Sequence, residues 1–199
     1  MSAEELSSAA SRPIPKGLAV FRRLLAVIGR AELALAIVAL MVVVVLSVAQ
    51  ALLRYLVGGS LWWAQEVAEH MVLVTYFLGI AYVFKTRQEI FIEFLTLMMP
   101  LRVQIAFFIV EQLLAFVFCA ALIWLVYLFA PTMFNMQSPL LKLPGYVTYI
   151  PLLLSTMSIA LTSVYYCWYG LWAGPRIGGR TIHDVESHGL ILKPWVEPT

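Results

Sequence analysis

Charge is scarce in this chain. Of its 199 residues only 12% are Asp, Glu, Lys or Arg, while 62% are apolar and the mean hydropathy is +0.91. A soluble domain carries ~25% charged and ~45–50% apolar residues, so the composition excludes an ordinary water-soluble fold. Cysteine is nearly absent. Cys119 and Cys167 each sit inside an apolar run, which leaves no disulfide framework and no thiolate metal site. The net charge of +2 supplies no broad basic field, so no nucleic-acid partner is expected. Histidine is limited to three positions, His70 and the C-terminal His183 and His188. Paired axial ligands for a haem inside a bilayer are therefore lacking, and no cofactor is expected. No Ser-His-Asp set, glycine-rich phosphate loop or carboxylate pair falls on an aqueous loop, which leaves catalysis without a place and argues against an enzyme.

What the chain has in abundance is long uncharged runs. Leu33 to Ala49 contains one non-apolar residue, Ser47, and apolar character continues to Val57. That is enough to cross ~30 Å of hydrocarbon as a helix, and longer than the ~7–15-residue core of a signal peptide. The valines at 42–45 favour a strand in water, but an isolated strand cannot satisfy its backbone in lipid. Met71 to Phe84 is too short alone and must begin near Trp62 or Trp63, which puts Glu66, Glu69 and His70 at headgroup level. Ile105 to Ala130 is broken only by Glu111 and Gln112, and Val147 to Trp172 is uncharged with Pro151 in its first turns. The expected fold is an all-α membrane protein of four transmembrane helices over about 31–57, 63–85, 103–130 and 147–172, within a membrane domain of residues 16–172.

Lysine and arginine alternate in density across these spans. Arg12, Lys16, Arg22, Arg23 and Arg30, then Lys85, Arg87 and Arg102, then Arg176, Arg180 and Lys193 fall on one side, and Arg54 and Lys142 on the other. Both termini are thus expected in the cytoplasm. Residues 1–15 are expected to be disordered and 173–199 to form a loosely held cytoplasmic tail. Two connecting pieces read as amphipathic helices in the membrane plane on the cytoplasmic side. Over 17–30, Leu18, Phe21, Leu25 and Ile28 form a stripe for the inner leaflet with Arg22, Arg23 and Arg30 beside it. Over 87–99, Arg87, Glu89 and Glu93 mark a polar side, with Pro100 as the stop. The alternative for both pieces is an extension of the neighbouring span.

Glu111 is the ionisable group that falls deep within a span, beside Gln112. It reads either as a proton or cation relay, or as a carboxyl bonded to a hydroxyl at matching depth, Thr75, Tyr76 or Ser163. At the opposite membrane edge Arg54, Trp62, Trp63, Glu66, Glu69 and His70 gather. Glu66, Glu69 and His70 share the i, i+3, i+4 spacing of metal ligands, but a fourth ligand is lacking, so no metal is expected. An Arg54–Glu66 pair that fixes the first hairpin or docks a partner suits these residues, as does plain interfacial anchoring. Gly170 with Gly174, and Ala115 with Cys119, offer small-residue pairs for close helix contact, within the chain or to another subunit.

Arg54-Tyr55, Trp63-Ala64-Gln65-Glu66, Leu78-Gly79, and the stretch from Lys85 to Leu95 with Pro100 follow one another in an order that resembles the small membrane subunit of TRAP transporters, the DctQ-type or Q subunit. One departure is Glu89, where that family usually has histidine; Glu93 keeps the family's acidic position. The resemblance implies a multi-pass protein of the bacterial inner membrane that packs as a scaffold against a large membrane transport subunit of the M type. It further implies a periplasmic substrate-binding protein of the P type, sodium-driven symport, and organic acid anions as cargo. The residues it points to are Arg54, Trp62, Trp63, Glu66 and Glu69 as periplasmic-edge contacts, and Arg87, Glu89 and Glu93 on the cytoplasmic side. Two other readings compete with it: a small homodimeric exporter that uses Glu111 as its proton site, and a membrane anchor for a redox enzyme.

Overall fold

The computed structural model describes residues 15–56, 58–59, 61–87, 101–135, 142, 144–173 and 190–192. Four helices are formed among them: α1 (Lys16–Leu56), α2 (Ala64–Thr86), α3 (Leu101–Asn135) and α4 (Tyr146–Ala173). Each is long and apolar enough to cross a membrane. The all-α, four-span expectation thus holds, and lipid is the reason: with no water to bond the backbone, valine-rich runs close their own hydrogen bonds as helices.

The ends of the helices follow local chemistry. Ala19 N–H donates to the Pro15 carbonyl at 2.9 Å, so α1 begins directly behind a proline. Ahead of α2, Ala64 N–H donates to Leu61 O at 3.2 Å and closes a turn over Trp62 and Trp63. α2 stops at Arg87, whose φ of 52° leaves the helical region in the left-handed manner of a C-terminal cap. α3 runs past its expected end at Ala130, carries Pro131 within it and continues to Asn135. A proline costs one hydrogen bond there, which membrane helices tolerate.

Neither of the two expected in-plane helices is seen among the described residues. Residues 17–30 are not a separate in-plane helix but the first turns of the unbroken 41-residue α1. Arg87 lies in a turn rather than in a helix, while the rest of the proposed 87–99 helix, with Glu89 and Glu93, lies outside the described residues.

The chain divides into two compact units. The first comprises residues 1–28, 83–120 and 158–199. Its core joins Leu18, Leu25 and Ala26 of α1, Phe108 of α3, Tyr165, Tyr166 and Tyr169 of α4, and Ile191, with Phe21, Ile109 and Leu192 packed against them. Phe21 meets Tyr165 edge-on at 6.0 Å and Phe108 meets Tyr166 at 6.2 Å. Leu18 and Leu25, which by periodicity alone suited the lipid, are 0% and 1% exposed inside protein. An apolar stripe specifies an apolar neighbour but not whether it is lipid or tyrosine. Ile191, in the tail expected to be loose, is buried in the same core. At Gly170 a Cβ would stand 3.1 Å from the Phe108 ring, so this glycine lets α4 approach α3 within the chain.

The second unit comprises residues 29–82 and 121–157. Ala36 and Ala39 are its buried small residues on α1, and Thr75 of α2 reaches Ala36 O at 3.4 Å while also bonding Met71 O at 2.9 Å. His70 Nδ1 lies 2.7 Å from Glu66 O, and its Nε2 lies 3.2 Å from Thr148 Oγ1 of α4. With Nδ1–H as donor, the Thr148 hydroxyl donates to Nε2 and ties the start of α4 to α2.

Candidate functional site

Polar side chains concentrate in the first unit at the end of α2. The left-handed turn at Arg87 directs its guanidinium to Glu111 of α3, with Nη1 to Oε1 at 2.8 Å and Nη2 to Oε2 at 3.4 Å. This two-point pairing matches the fork of the guanidinium to the carboxylate. The Arg87 side chain is 8% exposed and that of Glu111 25%. Aromatic rings complete the enclosure: the guanidinium carbon lies 5.1 Å from the Phe108 ring centre and 5.6 Å from that of Tyr166. Such cation–π contacts offset part of the cost of taking a charge out of water.

A second set of bonds binds the same turn to α4. The fully buried Lys85 donates from Nζ to Ser158 Oγ at 2.5 Å, and Tyr166 donates its hydroxyl proton to the Lys85 carbonyl at 2.9 Å. Thr162 closes onto Ser158 O at 2.8 Å. The Tyr166 bond satisfies one of the carbonyls that a helix C-terminus leaves open. Gln112 donates from Nε2 to Glu111 Oε1 at 3.3 Å. Gln112 Oε1 and Ser163 Oγ are buried and have no hydrogen-bond partner among the described residues. The set as a whole is a junction of three helices built from one ion pair, one buried ammonium and two rings that meet edge-on. It fixes geometry, and its carboxylate is occupied by an arginine.

The residues expected from sequence separate accordingly. Glu111 and Gln112 are in the junction, and neither Thr75, Tyr76 nor Ser163 is the partner of Glu111; Arg87 is. Around the start of α2 Arg54 is exposed and Glu66 buried, and the expected Arg54–Glu66 pair does not form among the described residues. Trp62 is 61% exposed and Trp63 half-buried. Glu69, exposed, accepts from Gln65 Nε2 at 3.1 Å. Tyr166 carried no weight in the sequence, nor did the buried Glu32 of α1, while Ser158 counted only as one of the α4 hydroxyls that suggest a helix interface. Lys85 counts there as one more basic residue after a span, and only the length of α2 could have drawn it inside; its bond to Ser158, 73 positions away, has no local signal.

No curated protein and no solved structure matches the chain. A family model does, over residues 43–172, and its description is "Tripartite ATP-independent periplasmic transporters, DctQ component". The match covers more than half of the chain, takes in α2, α3 and α4, and includes the junction residues Lys85, Arg87, Glu111, Ser158 and Tyr166. The chain therefore belongs to the DctQ family, the DctQ component of tripartite ATP-independent periplasmic (TRAP) transporters.

Proposed function

We propose that this DctQ protein is the fixed, non-catalytic scaffold of its transporter, seated in the bacterial inner membrane with both termini in the cytoplasm. It packs against the large M-type subunit, which carries organic acid anions with sodium, and helps dock the periplasmic P-type binding protein. The observation that carries this reading is the Arg87–Glu111 pair. A carrier or exporter needs an intramembrane acid that gains and loses a proton or cation. Here the acid that the exporter reading relies on is held at two points by an arginine, itself covered by two rings. Charges arranged in this way lock helices rather than conduct.

The exposed Arg54, Trp62 and Glu69 are the edge we assign to the binding protein, with Trp63 and Glu66 holding the turn behind them. Glu89 and Glu93 stay assigned to cytoplasmic contacts of the same scaffold. Native mass spectrometry of the chain, extracted in mild detergent from its own host, tests the reading. The expected result is co-purification with one much larger multi-span protein at a fixed ratio, and uptake by the reconstituted set only when a binding protein is added. A bare homodimer that transports by itself would overturn it.

A further inference from the structure

The first turns of α1 bury one face and expose another. Leu18, Leu25 and Ala26 enter the core, whereas Lys16, Val20, Arg23, Leu24 and Val27 are exposed. At 3.6 residues per turn these five positions fall on one side of the helix. Val20, Leu24 and Val27 are 57%, 57% and 62% exposed, an apolar strip of two turns with a basic residue at its start and another within it. No carboxylate stands among the exposed residues of this segment. Periodicity alone puts lipid on the opposite face; the packing reverses that assignment.

Two contacts give the level of this face. A Cβ on Gly17 would lie 4.0 Å from the ring of Trp168, which is itself 50% exposed, and Phe21 meets Tyr165. The strip is therefore level with the last turns of α4 and with a tryptophan of the kind that settles at the membrane–water boundary. In the same unit Tyr166, one residue from Tyr165, lies against the Arg87 guanidinium. Water does not suit three exposed aliphatic side chains, and plain hydrocarbon does not suit Lys16 and Arg23. A phospholipid with net negative charge satisfies both, its headgroup meeting the two cations and its upper acyl carbons meeting the strip.

We propose that the face formed by Lys16, Val20, Arg23, Leu24 and Val27 is a binding surface for acidic phospholipid. The test uses the full chain in nanodiscs of phosphatidylcholine and phosphatidylglycerol in equal amounts. Native mass spectrometry counts which lipids stay bound. Phosphatidylglycerol is expected to be retained preferentially. Replacing Lys16→Gln or Arg23→Gln should weaken that preference about fivefold each, and about thirtyfold together, on the scale of one basic residue near an acidic surface. Arg23→Lys should retain it, Arg54→Gln at the far end of α1 should leave it unchanged, and soluble glycerol phosphate should not compete. A double variant with an unaltered thermal midpoint in pure phosphatidylcholine shows that folding is intact. Equal retention of the two lipids by the wild type, or an undiminished preference in the folded double variant, overturns the proposal. So does crosslinking of residue 23 to a partner protein with no response to lipid charge.

Discussion

At the scale of single residues, the Arg87–Glu111 pair dominates because two opposite charges, both largely withdrawn from solvent, face each other at two points. Glu111 lies on a span and Arg87 is folded beneath Phe108 and Tyr166, so removing one leaves the other as a poorly solvated charge. Breaking a buried pair in this way costs about 3–5 kcal/mol, whereas replacing both partners by apolar groups of similar volume is often neutral. Glu111→Gln and Arg87→Met should each lower the thermal midpoint in detergent substantially, and the double variant Arg87→Met with Glu111→Leu should recover most of the loss. A double variant worse than the sum of the two would mean that the charges act outside the fold. Only half of this interaction was legible beforehand. Glu111 announces itself as an acid in an apolar run, but its partner is 24 positions away and enters only because the chain turns left-handed at Arg87.

At the scale of elements, four helices could be read from run length, since lipid removes the competing conformations. Their faces could not. The spacing of Leu18, Phe21, Leu25 and Ile28 is helical, yet whether tyrosine or lipid receives it depends on α4, and α4 turns Tyr165 and Tyr169 toward it. The close approach of α3 to α4 depends on one position. With a Cβ at Gly170 already 3.1 Å from Phe108, alanine trades a gain in helix propensity of up to ~1 kcal/mol against crowding, and the outcome is close to neutral. Gly170→Leu has no such compensation and should destabilise by about 1–3 kcal/mol through overpacking. The Phe108 ring that it displaces also covers Arg87, so crosslinking between cysteines placed at 87 and 111 should become less efficient. Unchanged stability and crosslinking would show that Phe108 yields freely and that the helices are not set by this contact.

At the scale of the whole molecule, the asymmetry of eleven basic residues against two predicts a direction that helix packing cannot supply, because the same four helices fit a membrane either way up. Thiol labelling checks this direction. Cys119 is buried and Cys167 half-buried, so both can be replaced by alanine before single cysteines are introduced. In intact cells with the outer membrane permeabilised, a maleimide that cannot cross the inner membrane should label Arg54→Cys and Trp62→Cys, both exposed near the junction of α1 and α2. It should leave Lys16→Cys and Arg23→Cys unlabelled until the inner membrane is opened. The two sets bear on different claims. Labelling of Arg54→Cys from outside leaves the aromatic edge free to meet a periplasmic binding protein, while protection of Lys16→Cys puts the basic strip of α1 at the inner leaflet, where acidic headgroups and the membrane potential both favour arginine. Labelling in the reverse order would invert the molecule, separate Trp62 from any periplasmic partner and remove the basis for its docking role.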